Sequence, residues 1–293
     1  MYIKGICLAI LLICINFLLH TNICQAVEQS QSENIKNPQL KVTEPSTLEE
    51  AIKISKRKNV LLLGKEAGPR TDTIVFISFD PETKKIDMIS IPRDTYYYEK
   101  GYDNGDQRKI NAKYGRSKEK GTMEAIGKIL GGVPVHNYVT LNYESVELIV
   151  NALGGVEVDI PQQIENIPKG KQNLDGKNAL VFLRYRKGYS DGDLGRIRAQ
   201  QQFIKSAIQK LFSIEVLPTI KETLKNIQTD MTEQEVLSYA IQTLGIKTES
   251  ISIRTLPGRG KYKEVGGRKW AYYFYDQEKS KEIMLEIYGV EKN

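Results

Sequence analysis

The sequence predicts an α/β fold: a three-layer α-β-α sandwich in which helices cover both faces of one mixed central sheet. Two patterns predict this fold. Short apolar runs that end at a glycine or a proline alternate with longer segments whose apolar residues recur every three or four positions. With 40% hydrophobic residues among 293, the chain can also bury one large core.

The N-terminus predicts entry into a membrane. Residues 1–26 hold a single charged side chain, Lys4, ahead of a long apolar run. The segment is either a membrane anchor or a signal peptide cleaved after Ala26, and both place the rest of the chain outside the cytoplasm. Residues 27–46 are polar without an apolar period and predict a flexible spacer. We therefore expect residues 47–293 to form one extracytoplasmic domain on a single-pass anchor, or a secreted domain if the segment is cleaved.

The folded part is predicted to begin with a helix and three strands. Either Ser46 or Thr47 is suited to cap a helix over residues 47–56. Residues 59–64 form a continuous apolar run closed by glycine, which is typical of a buried central strand. Residues 73–79 and 85–91 predict two further strands, and the polar turn between them predicts a hairpin.

The remaining predicted elements alternate along the chain. Apolar periodicity predicts helices at residues 121–130, 143–153, 196–212, 215–228, 232–244 and 277–288. Strands are predicted at residues 138–142, 156–160, 179–186, 250–256 and 270–275, with a turn at 257–260. Three of these helices, at 121–130, 143–153 and 196–212, are amphipathic, so their apolar residues either pack as core or wall an apolar slot beside the sheet.

Charge and the rarer residue types exclude several classes of function. The formal net charge is +6, and acids are interspersed with the bases, unlike the concentrated basic face of a nucleic-acid-binding protein. The three cysteines, Cys7, Cys14 and Cys24, all lie in the N-terminal segment, and His20 and His136 are the only histidines. A disulfide-built core and a zinc centre are therefore excluded. A bound metal is expected to be a hard cation held by carboxylates, such as Mg²⁺.

Two arginines one residue apart, Arg184 and Arg186, end a predicted strand. On a strand, residues i and i+2 point to the same face, so both guanidinium groups would leave the sheet together. Paired guanidinium groups match the oxygen atoms of a pyrophosphate, although a surface salt-bridge ladder is the alternative for an isolated Arg-x-Arg motif. The next segment adds Asp193 and Arg196, with Gln200 one helical turn later on the same face.

Two more polar segments flank predicted strands. Arg70 and Asp72 stand just before one strand, and Arg93 and Asp94 follow another directly after a proline. Because proline stops sheet pairing, Arg93 should lie at the tip of its strand. Each pair alone is typical of a local salt bridge, and the pairs become informative only when they are taken together.

These segments together resemble the LytR-CpsA-Psr family (LCP family) of enzymes from Gram-positive cell envelopes. The resemblance covers most of residues 59–205 and includes the usual layout of a signal-anchor followed by a spacer. Its densest motifs are Arg-Thr-Asp-Thr at 70–73, Ser-Ile-Pro-Arg-Asp at 90–94, Leu-Gly-Gly-Val at 153–156, and Arg-Tyr-Arg with Gly-Asp-Leu-Gly-Arg within 184–196. The combination is specific, since it joins motifs from several separate parts of the chain.

The resemblance implies transfer of an anionic glycopolymer, of teichoic acid or capsular type, from an undecaprenyl-pyrophosphate carrier to a peptidoglycan hydroxyl. It implies Mg²⁺ as the cofactor, with Asp72 and Asp193 as its carboxylate ligands. The residues that it places around the pyrophosphate are Arg70, Arg93, Arg184, Arg186, Arg196 and Gln200. Asp72, Arg93 and Glu66 are the candidate catalytic residues. Glu66 stands where similar proteins commonly have an aspartate, so the proton acceptor is either Asp72 or Glu66.

Two other functions would use the same residues. An exported pyrophosphatase of lipid-linked substrates would take water as its nucleophile, and a membrane-tethered regulator would bind lipid phosphate without turnover. Reaction with and without a glycan acceptor separates the first from a transferase, and replacement of Asp72 separates the second. No nucleic-acid partner is expected, because export and dispersed charge both oppose one.

Overall fold

Ten strands and seven helices make up the described part of the computed structural model, which covers residues 45–65, 68–185, 188–189, 193–211 and 227–290. The strands are β1 (Lys58–Lys65), β2 (Thr71–Asp80), β3 (Lys85–Ser90), β4 (Asn137–Leu141), β5 (Val156–Ile160), β6 (Gly170–Leu174), β7 (Gln228–Thr229), β8 (Ile251–Thr255), β9 (Gly258–Val265) and β10 (Arg268–Tyr275). The helices are α1 (Leu48–Ile54), α2 (Ile110–Ile129), α3 (Tyr143–Ala152), α4 (Gly176–Arg184), α5 (Asp193–Leu211), α6 (Glu233–Thr243) and α7 (Gln277–Ile287).

Six of the strands form a central sheet in the order β7-β4-β1-β2-β3-β8. The sheet is mixed, because β1 pairs antiparallel with β2 and parallel with β4, while β3 pairs antiparallel with β2 and parallel with β8. The pairs β5–β6 and β9–β10 are separate two-stranded hairpins. The predicted mixed sheet is confirmed, but the strands at 156–160 and 270–275 belong to hairpins outside it.

Alternation along the central strands gives the sheet two apolar faces. On one face, Leu61 and Phe76 pack in a core cluster with residues of α1, α2 and α7. On the other face, Val75 and Met88 cluster with Ile204 and Ile208 of α5. Helices therefore cover both faces, and the predicted three-layer α-β-α arrangement is confirmed.

Several strand ends meet at one edge of the central sheet. The register pairs Lys65 with Thr71, so β1 ends where β2 begins. The parallel pairings bring the ends of β3, β4 and β8 to the same edge. Carboxyl ends of strands are the usual location of ligand sites in α/β sheets, and we name this side the functional edge.

Local signals explain where the correctly predicted helices begin. Thr47 caps α1, since its side chain accepts a hydrogen bond from the backbone N–H of Glu50 at 3.2 Å. Thr232 and Glu235 form a reciprocal capping box at the start of α6. Side chains at these positions satisfy backbone donors that have no partner within the helix.

Three predictions about local structure were wrong. Residues 179–184 belong to helix α4 and not to a strand, because Asp175 caps a helix there by accepting from Asn178 N at 2.8 Å. Helix α2 begins at Ile110 and continues past a non-helical residue, Lys118, so the helix predicted at 121–130 is only its second half. Residues 258–260 open strand β9 and do not form a turn.

The predictions for the chain termini are mostly untested. Contacts group Pro45–Asn293 into one compact unit, and the domain boundary at residue 47 stays a prediction. The predicted anchor at 1–26, most of the spacer at 27–46 and most of the helix at 215–228 lie outside the described residues. Within the described ranges, which start at residue 45, no helix is both long and apolar enough to cross a bilayer.

Candidate functional site

A cavity of about 1270 Å³ lies between the central sheet and helices α3, α4, α5 and α6, on the face of the sheet that carries Val75 and Met88. Most of its wall is apolar. The sheet contributes Val60, Leu62, Ile77, Phe79, Ile86 and Val139, and the helices contribute Val146, Ile149, Leu180, Val181, Phe203, Ile204, Ala207, Ile208, Val236 and Ala240. Of the three helices for which a core or an apolar slot was expected, α3 and α5 wall this cavity, whereas α2 packs against the opposite face of the sheet.

The cavity becomes polar where it reaches the functional edge. Lys65 and Thr73 line it there, one at the end of β1 and the other near the start of β2. Asp72, Arg184, Arg196 and Gln200 line the same region. One continuous cavity thus has a hydrocarbon-like interior and a charged end, which is the polarity of an amphiphile with an anionic head group.

Asp72 and Arg93 form an ion pair at this polar end. A guanidinium nitrogen of Arg93 donates to the Asp72 carboxylate, and both side chains are about three-quarters buried. The backbone of Arg93 is fixed by a hydrogen bond, since its carbonyl oxygen accepts from Asn111 N at 3.2 Å. The neighbouring Asp94 pairs with Lys109 at 2.8 Å, which fixes the loop after β3. Arg93 thus lies just beyond the end of β3, as predicted, and contacts a carboxylate from the start of β2.

Helix α5 brings Arg196 and Gln200 to the same place. Arg196 is only 3% exposed and donates to the backbone oxygen of Asp72 at 3.3 Å. Gln200 accepts from the Thr73 hydroxyl and donates to the Leu183 carbonyl oxygen, each at 3.3 Å. The i, i+4 spacing recognised in the sequence thus places both side chains against the start of β2.

Arg184 reaches the cavity from the last turn of helix α4. Its guanidinium carbon lies 4.8 Å from the centroid of the Tyr143 ring, close enough for a cation–π contact. The strand-based reason for pairing Arg184 with Arg186 was wrong for Arg184, because this residue ends helix α4 and does not lie in a strand. Arg186 itself lies outside the described residues.

Arg70 differs from the other predicted arginines in its partner. Its guanidinium pairs with Asp106 at 2.6 Å, both side chains are about 40% exposed, and Arg70 does not line the cavity. Glu66 lies outside the described residues, as does the side chain of Asp193, the first residue of α5. The structure therefore brings together Asp72, Arg93, Arg184, Arg196 and Gln200, and leaves Arg70 at the margin.

Among the polar residues of the cavity wall to which sequence reasoning gave no role, Thr73 and Lys65 lie closest in sequence to the predicted ones. Thr73 was placed in a strand and in the Arg-Thr-Asp-Thr motif without a role of its own, and its hydroxyl donates to Gln200. Lys65 lies next in sequence to the predicted Glu66, and its ammonium nitrogen is 5.7 Å from the centroid of the Tyr114 ring. Burial raises the pKa of Tyr114, and its hydroxyl donates to Glu119 at 2.7 Å, so the ring that faces Lys65 stays neutral. The adjacency of Thr73 to Asp72 was the available signal.

The donor chemistry at the polar end fits magnesium. Magnesium typically takes one or two protein carboxylates and completes its shell with phosphate oxygens and water. Asp72 supplies one such carboxylate at the cavity wall, among arginines suited to phosphate. In the part of the chain that the structure describes, no group of three or more His, Cys, Asp or Glu residues is arranged to hold a metal by itself.

Curated proteins with similar sequences share one described activity. TagV of Bacillus subtilis, a polyisoprenyl-teichoic acid–peptidoglycan teichoic acid transferase, is 28% identical over 220 residues, which are 70% of this chain and 55% of TagV. This chain therefore spans little more than half the length of TagV. TagU of Bacillus mycoides, which carries the same description, is 31% identical over 272 residues, or 88% of this chain and 87% of TagU.

Solved structures give the same result. The crystal structure of B. subtilis TagV matches with a TM-score of 0.68 and 27% identity, over 81% of this chain and 99% of that one. The structure of TagT bound to LIIa-WTA matches with a TM-score of 0.66 and 26% identity, over 80% of this chain and 90% of that one. The profile of the LytR_cpsA_psr family matches residues 18–287. The chain belongs to the LytR_cpsA_psr family.

Proposed function

We propose that this protein transfers an anionic glycopolymer, of teichoic acid or capsular type, from an undecaprenyl-pyrophosphate carrier to peptidoglycan. One observation carries the proposal: a long apolar cavity ends at the Asp72–Arg93 pair with Arg196 beside it. A polyprenyl pyrophosphate has the matching polarity, since a hydrocarbon chain is joined to a doubly charged head. The named activities of TagU and TagV support the same substrate class.

The arginines would lower the barrier to attack on phosphorus. Negative charge on the pyrophosphate repels an incoming hydroxyl oxygen, and guanidinium groups that are already in place offset that charge. Arg196 and Arg184 reach the polar end from two different helices, so they can contact the head group from two sides. Arg93 would also offset negative charge on the pyrophosphate, and its ion pair would orient Asp72.

In the proposed reaction, a peptidoglycan hydroxyl oxygen forms a bond to the phosphorus atom that carries the polymer. The bond from that phosphorus to the bridging oxygen breaks, and the polyprenyl phosphate leaves with the electron pair. The hydroxyl proton passes to a carboxylate, either Asp72 or Glu66, of which Asp72 lines the cavity. Bound Mg²⁺, held by Asp72 and Asp193, would add positive charge beside the phosphate oxygens.

Transfer by purified protein tests the proposal. With a lipid-linked pyrophosphate donor, we expect polymer to appear on a glycan acceptor, and the Asp72→Asn variant to lose at least about a hundred-fold in rate. Asp159→Asn is the matched control, because Asp159 is exposed on β5 and does not line the cavity. Release of polymer at the same rate without acceptor would identify a pyrophosphatase. Binding of the donor without turnover would identify a regulator.

We also propose that residues 1–26 anchor the protein in the cell membrane, with the domain on the outer side. A donor whose tail lies in the bilayer favours this location, because the apolar cavity must receive that tail. Fractionation of cells that express the intact chain tests the idea. Full-length protein in the membrane fraction is expected, and a soluble product that starts near residue 27 would show cleavage instead.

A further inference from the structure

A second cavity of about 870 Å³ opens at the functional edge, next to the end of β8. Its walls come from the β9–β10 hairpin, the first turns of α5 and the start of α7. The side chains that define its character are Arg198, Arg259, Lys261, Lys279, Tyr273 and Tyr275. We name it the cationic groove.

The cationic groove carries an excess of positive charge. Four basic residues and one acidic residue, Asp276, line it. Arg259 and Lys261 are exposed on β9, and within the described ranges neither forms an ion pair. Lys279 makes only a long contact of 3.8 Å with Asp276, and its side chain is 69% exposed. Basic groups that are accessible and weakly paired are available to bind an external anion.

The groove adjoins the polar end of the first cavity. Arg196 and Arg198 are two positions apart on α5, which places them on nearly opposite sides of the helix, and they line the first and the second cavity respectively. Aromatic rings also lie between the two cavities. Tyr185, which lines the first cavity, packs against Tyr189 with 5.7 Å between the ring centroids. The charge of Arg198 in turn acts on the hydroxyl of Tyr189, opposing the rise in its pKa that burial causes. At this point helix α5 therefore lies between the Arg196 side and the Arg198 side of the two cavities.

We propose that the cationic groove binds the anionic chain of the donor glycopolymer through its repeating phosphate groups. This inference rests on the proposed function. A polymer attached to the pyrophosphate at Arg196 must leave the first cavity at its polar end, where the groove lies. Its phosphates recur along the chain, and several basic groups along one groove match such a repeat. The glycan strand of peptidoglycan has no phosphate in its backbone and would gain less from this charge.

Paired substitutions test the groove without touching the catalytic site. The variant Arg259→Ala/Lys261→Ala removes two exposed cations from it. The control Lys120→Ala/Lys128→Ala removes two exposed cations from α2, which packs on the opposite face of the sheet. Both variants lose the same charge, so a difference between them reports position. Thermal unfolding of both is expected to match the parent protein.

Direct binding is the first measurement. The probe is a fluorescent, lipid-free poly(glycerol phosphate) oligomer, followed by anisotropy at low and physiological salt. We expect the Arg259→Ala/Lys261→Ala variant to bind about ten-fold more weakly than the control and to depend less steeply on salt. Equal affinity of the two variants for the oligomer would overturn the proposal. This measurement needs no turnover, so it stands even if the proposed transferase activity fails.

Steady-state transfer is the second measurement. With a long phosphate-bearing donor, the variant should raise KM about ten-fold and leave kcat unchanged, whereas a donor with a single sugar should show no change. A disaccharide-pentapeptide from peptidoglycan is the contrasting ligand. If the variant weakens binding of that fragment and leaves the phosphate oligomer unaffected, the groove is an acceptor site and the proposal is wrong.

Discussion

Filling the apolar cavity should block the carrier lipid while leaving the fold intact. Ala207 lies on α5 and lines the cavity, so a larger side chain there can grow into open space. Ala125 on α2 is the opposite case, since it is 1% exposed inside a packed core. We expect Ala207→Phe to unfold at nearly the parent temperature, and Ala125→Phe to lose about 1–3 kcal/mol of stability through overpacking.

The size of the effect follows from the hydrocarbon that is displaced. A phenyl ring at residue 207 would occupy the room of roughly four methylene groups of a bound lipid chain. Each methylene moved from water into an apolar site contributes about 0.8 kcal/mol, so the loss is about 3 kcal/mol. Affinity for a long polyprenyl phosphate should therefore fall by roughly two orders of magnitude.

Native mass spectrometry or a displacement assay with polyprenyl phosphates of increasing length measures this effect. In the parent protein, affinity should rise with chain length, and in Ala207→Phe it should stop rising once the chain reaches residue 207. Ala152→Phe, at an exposed position near the end of α3, is the control for an added aromatic ring. If Ala207→Phe is folded and binds long chains as the parent does, the cavity does not hold the lipid.

Three further outcomes can be measured directly. Arg57→Ala should lower the free energy of unfolding by about 3 kcal/mol, because Arg57 is buried and pairs with Asp87 at 3.0 Å; adding Asp87→Asn should recover part of the loss in denaturant titrations. Burial, with Lys58 nearby, lowers the pKa of His136 below its usual 6.5, and Nδ1 accepts from Asn59 N at 2.9 Å. The folded state thus favours the neutral ring, so stability should fall as pH decreases below about 6.5, and His136→Gln should flatten that dependence. EDTA should abolish transfer and added Mg²⁺ should restore it; full activity after metal removal would contradict the assignment of Asp72 as a ligand.

The central sheet was predictable because its signals are local. Continuous apolar runs that end in glycine or proline identified β1, β2 and β3, and the turn between β2 and β3 identified their pairing. The hairpin β9–β10 was missed for a local reason as well. Its turn is formed by Gly266 and Gly267, both with positive φ, and this pair was available as a hairpin signal.

Helix α4 shows the limit of reading apolar runs. The run Ala-Leu-Val-Phe-Leu at 179–183 fits a buried strand and a buried helix equally well, since periodicity cannot separate them over five residues. The deciding signal was Asp175, which caps the helix, together with the high helix propensity of alanine and leucine. The error changed the geometry expected for Arg184 but not its place at the cavity.

Most residues of the candidate site were identified from the sequence, but the contacts between them depend on long-range packing. Arg93 meets Asp72 because β2 and β3 are antiparallel, so the start of one strand lies beside the end of the other. Arg196 meets the same strand across more than a hundred residues of sequence. Arg70 has the same local signal but pairs with Asp106, a residue that no local pattern connects to it.

The order of side chains along α5 determines how a lipid-linked donor would lie in the cavity. Residues Arg196, Gln200, Ile204 and Ile208 repeat every four positions and all line the cavity, so they form one stripe along the helix. The stripe changes from charged to polar to apolar over about 18 Å, at 1.5 Å per residue. An amphiphile gains from this stripe only with its head group at Arg196 and its tail toward Ile208, because the reverse placement would bury phosphate among aliphatic side chains. In the proposed reaction the helix would therefore hold the reacting phosphorus near Asp72 before any acceptor arrives, and exchanging Arg196 with Ile208 should abolish binding even though composition and net charge are unchanged.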